Sequence, residues 1–259
     1  VQSGPDERRQ EALPSHQRGA SEEARFYAMA RAKTGEVVAL LGYPALGGAE
    51  LLAVLDHPEA YHPQDATRLL AMSAILNAEA GDFAAARDLA EQAEATHALH
   101  GPDGQEGIVR AAAAIVDWYE GEGGTEACDR LQAAADLSGE RGQQADRRDL
   151  LRRTSACLLD EGDVAGAFAA AGWAKALADA AAPSDIWRAW WALARARAAL
   201  GRSDADHAYL EALDGLDEQI SELRLDALAL GLEGSARGIY DEAANVLLEQ
   251  GHVEAALTV

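Results

Sequence analysis

The sequence predicts an all-α protein built from stacked antiparallel helix hairpins, and three observations carry that reading. Alanine dominates a chain whose aromatic content is only 5% against 49% hydrophobic. Such a composition favours helices packed closely through small side chains over a sheet core. The stretch from Asn77 to Ala93 reads as helix, Gly81-Asp82 turn, and a second helix with Ala86, Ala90 and Ala93 on one face. Glycine takes positive φ without steric cost, and Asp82 is suited to cap the new helix. The same unit recurs about every 40 residues, the mark of a helical array.

Taken in order, residues 1–19 are polar, contain Pro5 and Pro14, and read as a tail or strand-less leader, with a helix between Asp6 and Leu13 left open. The first residue is Val, which points to a processed or excised chain. Ser21-Glu-Glu opens a helix whose buried face is expected to use Phe26, Met29, Ala30, Val37, Leu40 and Leu41. Gly42-Tyr-Pro44 stops it, and a short helix follows from about Ala49 to Leu55. The prolines of His57–Pro63 impose a loop. Residues 20–64 are thus expected as helices packing on the array, and 65–259 as the array itself.

Hairpins are expected at 65–80 with 83–99, 106–120 with 124–138, 145–161 with 164–181, and 185–200 with 204–218. A less regular helix at 220–232 precedes one at 237–250, and Val253–Leu257 opens another. Turn sequences punctuate them at Glu79–Phe83, Glu120–Gly124, Glu161–Val164, Ala199–Arg202 and Glu249–Val253.

These residues resemble the tetratricopeptide repeat. That motif has a turn glycine, a large residue two positions on, and small residues at fixed spacing in the second helix. Gly81, Phe83, Ala86, Ala90 and Ala93 match it, as do Gly162, Val164, Ala167, Ala171 and Ala174. The second unit keeps Ala127 and Ala134 but has Glu122 where the glycine is expected. The fourth has Gly201 but carries Asp206 at a small-residue position. The period exceeds the standard 34 residues, similar to tetratricopeptide-like regions of bacterial signalling regulators. The resemblance implies a right-handed superhelix whose first helices line a concave groove. That groove would present Arg68 and Ile75, then Val109 and Tyr119, then Asp149, Arg152 and Ala156, and finally Arg188, Trp191 and Arg195.

This inner set is basic within a chain of net charge −22. Arginines over a flat aromatic floor suit a carboxylate, either an acidic peptide or a C-terminus. The plainer reading pairs Arg188 with Asp185 and Arg195 with an acid on a neighbouring helix. Trp187 and Trp191 share a face, whereas Trp190 falls toward the core. The acids Asp88, Glu91, Glu94, Asp204, Asp206 and Glu211 belong to the solvated convex side, a basic partner surface being the sharper alternative.

Other chemistry finds little support. The net charge opposes nucleic-acid binding. No apolar run suffices for a membrane span, and no secretory signal opens the chain. Glu59-Ala-Tyr-His62 and Glu94-Ala-Thr-His97 have Glu-x-x-His spacing, but the first lies between prolines and inward partner acids are lacking. Cys128 and Cys157 read as packing thiols in separate helices of a cytoplasmic protein, with no disulfide framework or zinc spacing. No phosphate loop or nucleophile elbow is present, so neither a catalytic residue, a cofactor nor a metal is expected. The sequence therefore predicts a non-enzymatic protein- or peptide-binding scaffold, or the ligand-responsive part of a larger bacterial regulator, with self-association left open.

Overall fold

A computed structural model describes residues 15–57, 61, 63–101, 103–180, 186–222 and 237–259, and among these every regular element is helical. The helices are α1 (Ser15–Leu40), α2 (Pro44–Leu55), α3 (Pro63–Glu79), α4 (Phe83–His100), α5 (Glu106–Glu120) and α6 (Gly124–Glu140). They continue as α7 (Gln144–Asp160), α8 (Val164–Ala180), α9 (Ile186–Ala199), α10 (Ala205–Glu222), α11 (Arg237–Glu249) and the short α12 (Val253–Ala256). A 3₁₀ turn, Asp103–Gln105, leads into α5. Each helix packs on the next, and the first helices of successive hairpins, α3, α5, α7 and α9, also touch in sequence. The hairpins are therefore stacked side by side. The leader's residues 1–14 and most of the helix expected at 220–232 lie outside the described residues.

One turn geometry repeats. Gly81 has φ +82°, its N–H donates to the Ala78 carbonyl, and the Asp82 N–H donates to the Asn77 carbonyl. This pair of bonds satisfies two carbonyls that a helix end would otherwise leave open. Asp82 then caps α4 by accepting from the Ala85 N–H at 3.2 Å. Gly121, Gly162, Gly201 and Gly251 stand in the same backbone conformation with the same bonds. The second unit's turn glycine is Gly121, not position 122: the connection has the usual three residues, but α5 runs up to the glycine and α6 begins three positions after it, at Gly124. In the fourth unit the small-residue face is kept but starts one residue earlier. Ala205 and Ala212 are buried on it, Tyr209 takes the middle position in place of a small residue, and Asp206 falls off that face.

The hairpin of α1 and α2 is built in the same way. Gly42 has φ +88° and supplies the turn, Pro44 starts α2, and Gly47, Leu51 and Val54 are buried on the facing stripe. Proline is accepted in a first helical turn because its missing N–H has no partner there anyway. Hence α2 starts at Pro44 rather than near Ala49. A Cβ on Gly47 would sit 2.7 Å from both the Ala39 Cβ and the Gly35 carbonyl oxygen, so the two backbones meet at near-contact distance.

That close approach overturns the expected face of α1. Its inward stripe is Ala24, Ala28, Ala32 and Gly35, while Phe26 (75% exposed), Met29 (70%), Ala30, Val37 and Leu40 turn outward. Of the expected set only Leu41 is buried. Small residues win the interface because they let the neighbouring helix in.

The main core runs from Leu70 to Ala174 and is made mostly of alanines with Ile75, Ile108, Ile115, Leu131, Leu150 and Leu151. Cys128 of α6 and Cys157 of α7 lie in it and are joined as a disulfide, with Cα atoms 5.6 Å apart. The reading of two separate thiols is thus corrected, and the reducing-cytoplasm expectation loses the observation it rested on. The two residues face each other across the boundary between hairpins, a register that spacing alone does not reveal. No helix among the described residues is long and apolar enough to cross a membrane.

Candidate functional site

A pocket of about 230 Å³ is walled by the end of α5, the second half of α7 and the first half of α9. From α5 come Trp118 and Tyr119, with ring centroids 4.6 Å apart. The Trp118 Nε1 donates to Asp160 at the end of α7 (3.0 Å), which fixes the indole. From α9 come Arg188, Trp191, Ala192 and Arg195, whose spacing of three, one and three keeps them on one helix face. From α7 come Arg152, Arg153, Ser155, Ala156, Leu159 and Asp160, and Glu79 of α3 completes the wall, so two carboxylates stand among four arginines.

An ionic web braces the α7 wall. Arg153 is nearly buried, pairs with Glu79 of α3, and donates through Nε to Asp149 at 2.9 Å. Arg152 donates to the same carboxylate at 2.8 Å. Burial opposes the charge on Asp149, but the adjacent Arg153 and Arg152 outweigh it and hold the carboxyl well below the usual range. Burial likewise opposes the charge on Arg153, and Asp149 and Glu79 reverse that and raise it. Burial pushes the Tyr119 phenol up, and the Glu79 charge adds to the shift, so it stays a neutral donor.

On the α9 side, Glu242 of α11 accepts from the Trp191 Nε1 (2.8 Å) and the Tyr209 hydroxyl (3.0 Å), with Arg195 Nε 3.5 Å away. Trp191 is also stacked on buried Trp187, whose Nε1 donates to Gln219. Trp190 is half-buried between α8 and α10, with the Lys175 ammonium 4.4 Å above its ring. Arg188 lies over the Trp187 ring and donates to the Leu40 carbonyl at the end of α1 (3.0 Å). Leu41 follows into the core of α9, α10 and α11, so the first hairpin's turn reaches the far end of the array.

The structure thus brings together Tyr119, Arg152, Ala156, Arg188, Trp191 and Arg195, all expected at the groove. Four others are placed elsewhere. Ile75 and Val109 are buried in the core, because only a narrow stripe of each first helix faces inward. Arg68 forms a two-pronged pair with Asp146 (2.7 and 2.9 Å) and lines a different cavity, between α1 and α3. Asp149 is not among the lining residues and is occupied by Arg152 and Arg153. The plain alternative for Arg195 is met in part by Glu242, whereas Asp185 lies outside the described residues, as do Glu59 and His62. Asp88, Glu91 and Glu94 are solvent-exposed on α4.

Sequence reasoning missed Arg153, Glu79, Trp118 and Ser155. The first two meet across 74 positions of sequence, beyond any local pattern. Ser155 is fully buried and its hydroxyl has no partner among the described residues, although it belongs to the pocket wall. An unmatched buried hydroxyl beside a cavity is a group that a ligand can satisfy.

Among solved structures, a Rap protein complexed with Competence and Sporulation Factor superposes with a TM-score of 0.62 at 16% identity. The match covers 97% of this chain and 75% of that one. The Q17M form of a Podosopora anserina putative kinesin light chain with nearly identical TPR-like repeats gives a TM-score of 0.50 at 19% identity, covering 76% and 98%. The fold is that of the TPR-like repeats. No protein-family model matches the sequence, and no curated protein does. In the TPR-like frame α3, α5, α7 and α9 are the first helices of their hairpins, and the pocket sits where three of them converge.

Proposed function

We propose that the chain is a non-enzymatic scaffold or regulatory module that docks a protein or peptide in this pocket through an acidic group, either a side chain or a C-terminal carboxylate. The observation that carries the reading is the convergence of Arg152, Arg188 and Arg195 with Trp191 and Tyr119 around one cavity of a protein with net charge −22. Each guanidinium has five donors, more than its protein partner uses, and fits a carboxylate with two parallel bonds. At about 230 Å³ the space falls below a drug-sized site and suits one side chain or chain end. The Rap protein's complex shows that this fold accepts a bound factor in that relative. The test is an array of peptides with free or amidated C-termini, scored by affinity for wild type and for Arg152→Glu with Arg195→Glu. The expected result is preference for free acids, with a loss of about 30-fold or more in the double variant. Equal binding of acids and amides, or unchanged affinity in the variant, overturns the reading.

A second reading makes the chain the ligand-responsive or oligomerising part of a larger bacterial signalling or transcriptional regulator. One contact favours it: Arg188 both lines the pocket and holds the Leu40 carbonyl, so an occupant acts on the junction between the first hairpin and α9. An occupant at 100-fold its Kd would raise stability by about 2.7 kcal/mol, and scattering would report a changed radius or mass.

A further inference from the structure

A second cavity, of about 550 Å³, lies between α1, α2 and α3. Its origin is local. Successive first helices elsewhere pack directly, as α3 does on α5, but α1 and α3 barely approach one another. The α1 wall carries Ala28 and Ala32, whose methyls do not reach across, and only a small satellite core of Ala28 and Val54 fills the space behind. Leu51, Leu69, Met29 and Met72 complete an apolar chamber. Methionine adapts to the shape of a guest, and the volume falls within the range of small-molecule sites.

The rim is polar, and its charges are unequal in kind. Glu36 pairs with Lys33 at 2.5 Å, and Arg68 is held by Asp146. Asp65 is engaged by the protein as well. Tyr61 donates its hydroxyl to the Leu55 carbonyl (3.3 Å), which sets its ring as one side of the mouth. Arg25 stands on this rim with no partner among the described residues. It is the one rim charge left without a partner there, and it is positive.

We propose that this chamber is a binding site for a small amphipathic anion, with its apolar body between α1 and α3 and its carboxylate on Arg25. The site is distinct from the arginine–tryptophan pocket and does not depend on the reading of that pocket. An apolar chain displaces water from an apolar wall, and the lone guanidinium supplies orientation at the mouth. A neutral guest of the same length would keep the first interaction and lose the second.

Titration calorimetry of the full chain at neutral pH tests the assignment with three probes: decanoate, decanol and decyltrimethylammonium, each below its micellar concentration. Decanoate is expected to bind one saturable site, more tightly than either comparator. Arg25→Ala should weaken decanoate by about fivefold, the scale of a single exposed ion pair, and leave decanol within about twofold. Ala32→Phe, which fills the chamber, should abolish both. Circular dichroism checks its folding, and Leu69→Glu takes its place if it does not fold. Absence of saturable decanoate binding overturns the proposal. So does binding indifferent to both variants, which would place it on the exposed face of Phe26, Val37 and Leu40, and so does equal or stronger binding of the cation.

Discussion

The two cavities arise from one architecture and end with different chemistry. The pocket of α5, α7 and α9 is small, aromatic and cationic, and a web from Glu79 through Arg153 and Asp149 to Arg152 locks its α7 wall. The chamber of α1, α2 and α3 is more than twice as large, apolar, and backed by a few small residues. The difference lies in which side chains occupy the inward stripe of each first helix. Alanines at Ala28 and Ala32 leave space, whereas arginines at Arg152 and Arg153 fill it and must then find carboxylates. Stacked hairpins fix where cavities form, and the stripe decides what each can hold.

The comparison breaks most easily at Arg153. Replacing it with Met strands Glu79 and leaves Asp149 to Arg152 alone, and should cost about 3 kcal/mol in urea unfolding. A change below about 1 kcal/mol would mean the web does not brace the wall. The disulfide behind that wall comes next. Cys157→Ser opens a link between positions 29 apart and should also cost about 3 kcal/mol, with unfolding still cooperative. Both residues are fully buried, so mild reductant should not expose reactive thiols until the chain unfolds.

Two glycines then sharpen the contrast between a close contact and a turn. Gly47→Ala forces a methyl against Ala39 and Gly35 in the α1–α2 hairpin and should destabilise by about 2 kcal/mol. Gly81→Ala meets open space, so only the left-handed backbone is strained, for about 1 kcal/mol. Equal losses would remove the close approach as the reason for α1's alanine stripe. The smallest effect is on pH. The Asp149 carboxyl titrates lower in the folded protein than in the unfolded chain. Its stabilisation is therefore present above about pH 4, the ordinary carboxylate value, and fades as pH falls toward the depressed folded value. Wild type and Asp149→Asn should differ at neutral pH and converge in acid; a constant gap would contradict the web.

Much of this was readable in the residues, for identifiable reasons. Turn glycines show in sequence because few other residues adopt positive φ, and helix α5 was expected at the bounds it has, 106–120. The α1–α2 hairpin carries the same pattern at Gly42, Gly47, Leu51 and Val54, but Gly42-Tyr-Pro44 read only as a stop, with the next helix expected from about Ala49. Only the nearness of Gly35 explains why glycine belongs inside that helix. Tyr119, Arg152, Arg188, Trp191 and Arg195 could be grouped from the sequence because each lies on the first helix of its hairpin. Ile75 and Val109 were misplaced because sequence spacing does not give the width of that stripe. The partners of Arg68, Arg153 and Cys157 lie in other hairpins, and nothing local encodes such meetings.

Amide hydrogen exchange, with and without an acid-terminated peptide selected on the array, tests the central claim most directly. The account predicts slowed exchange at the inner ends of α5, α7 and α9, around Tyr119, Arg152 and Trp191, with α4, α6 and α8 unchanged. Protection confined to those outer helices, or to α1, would contradict it.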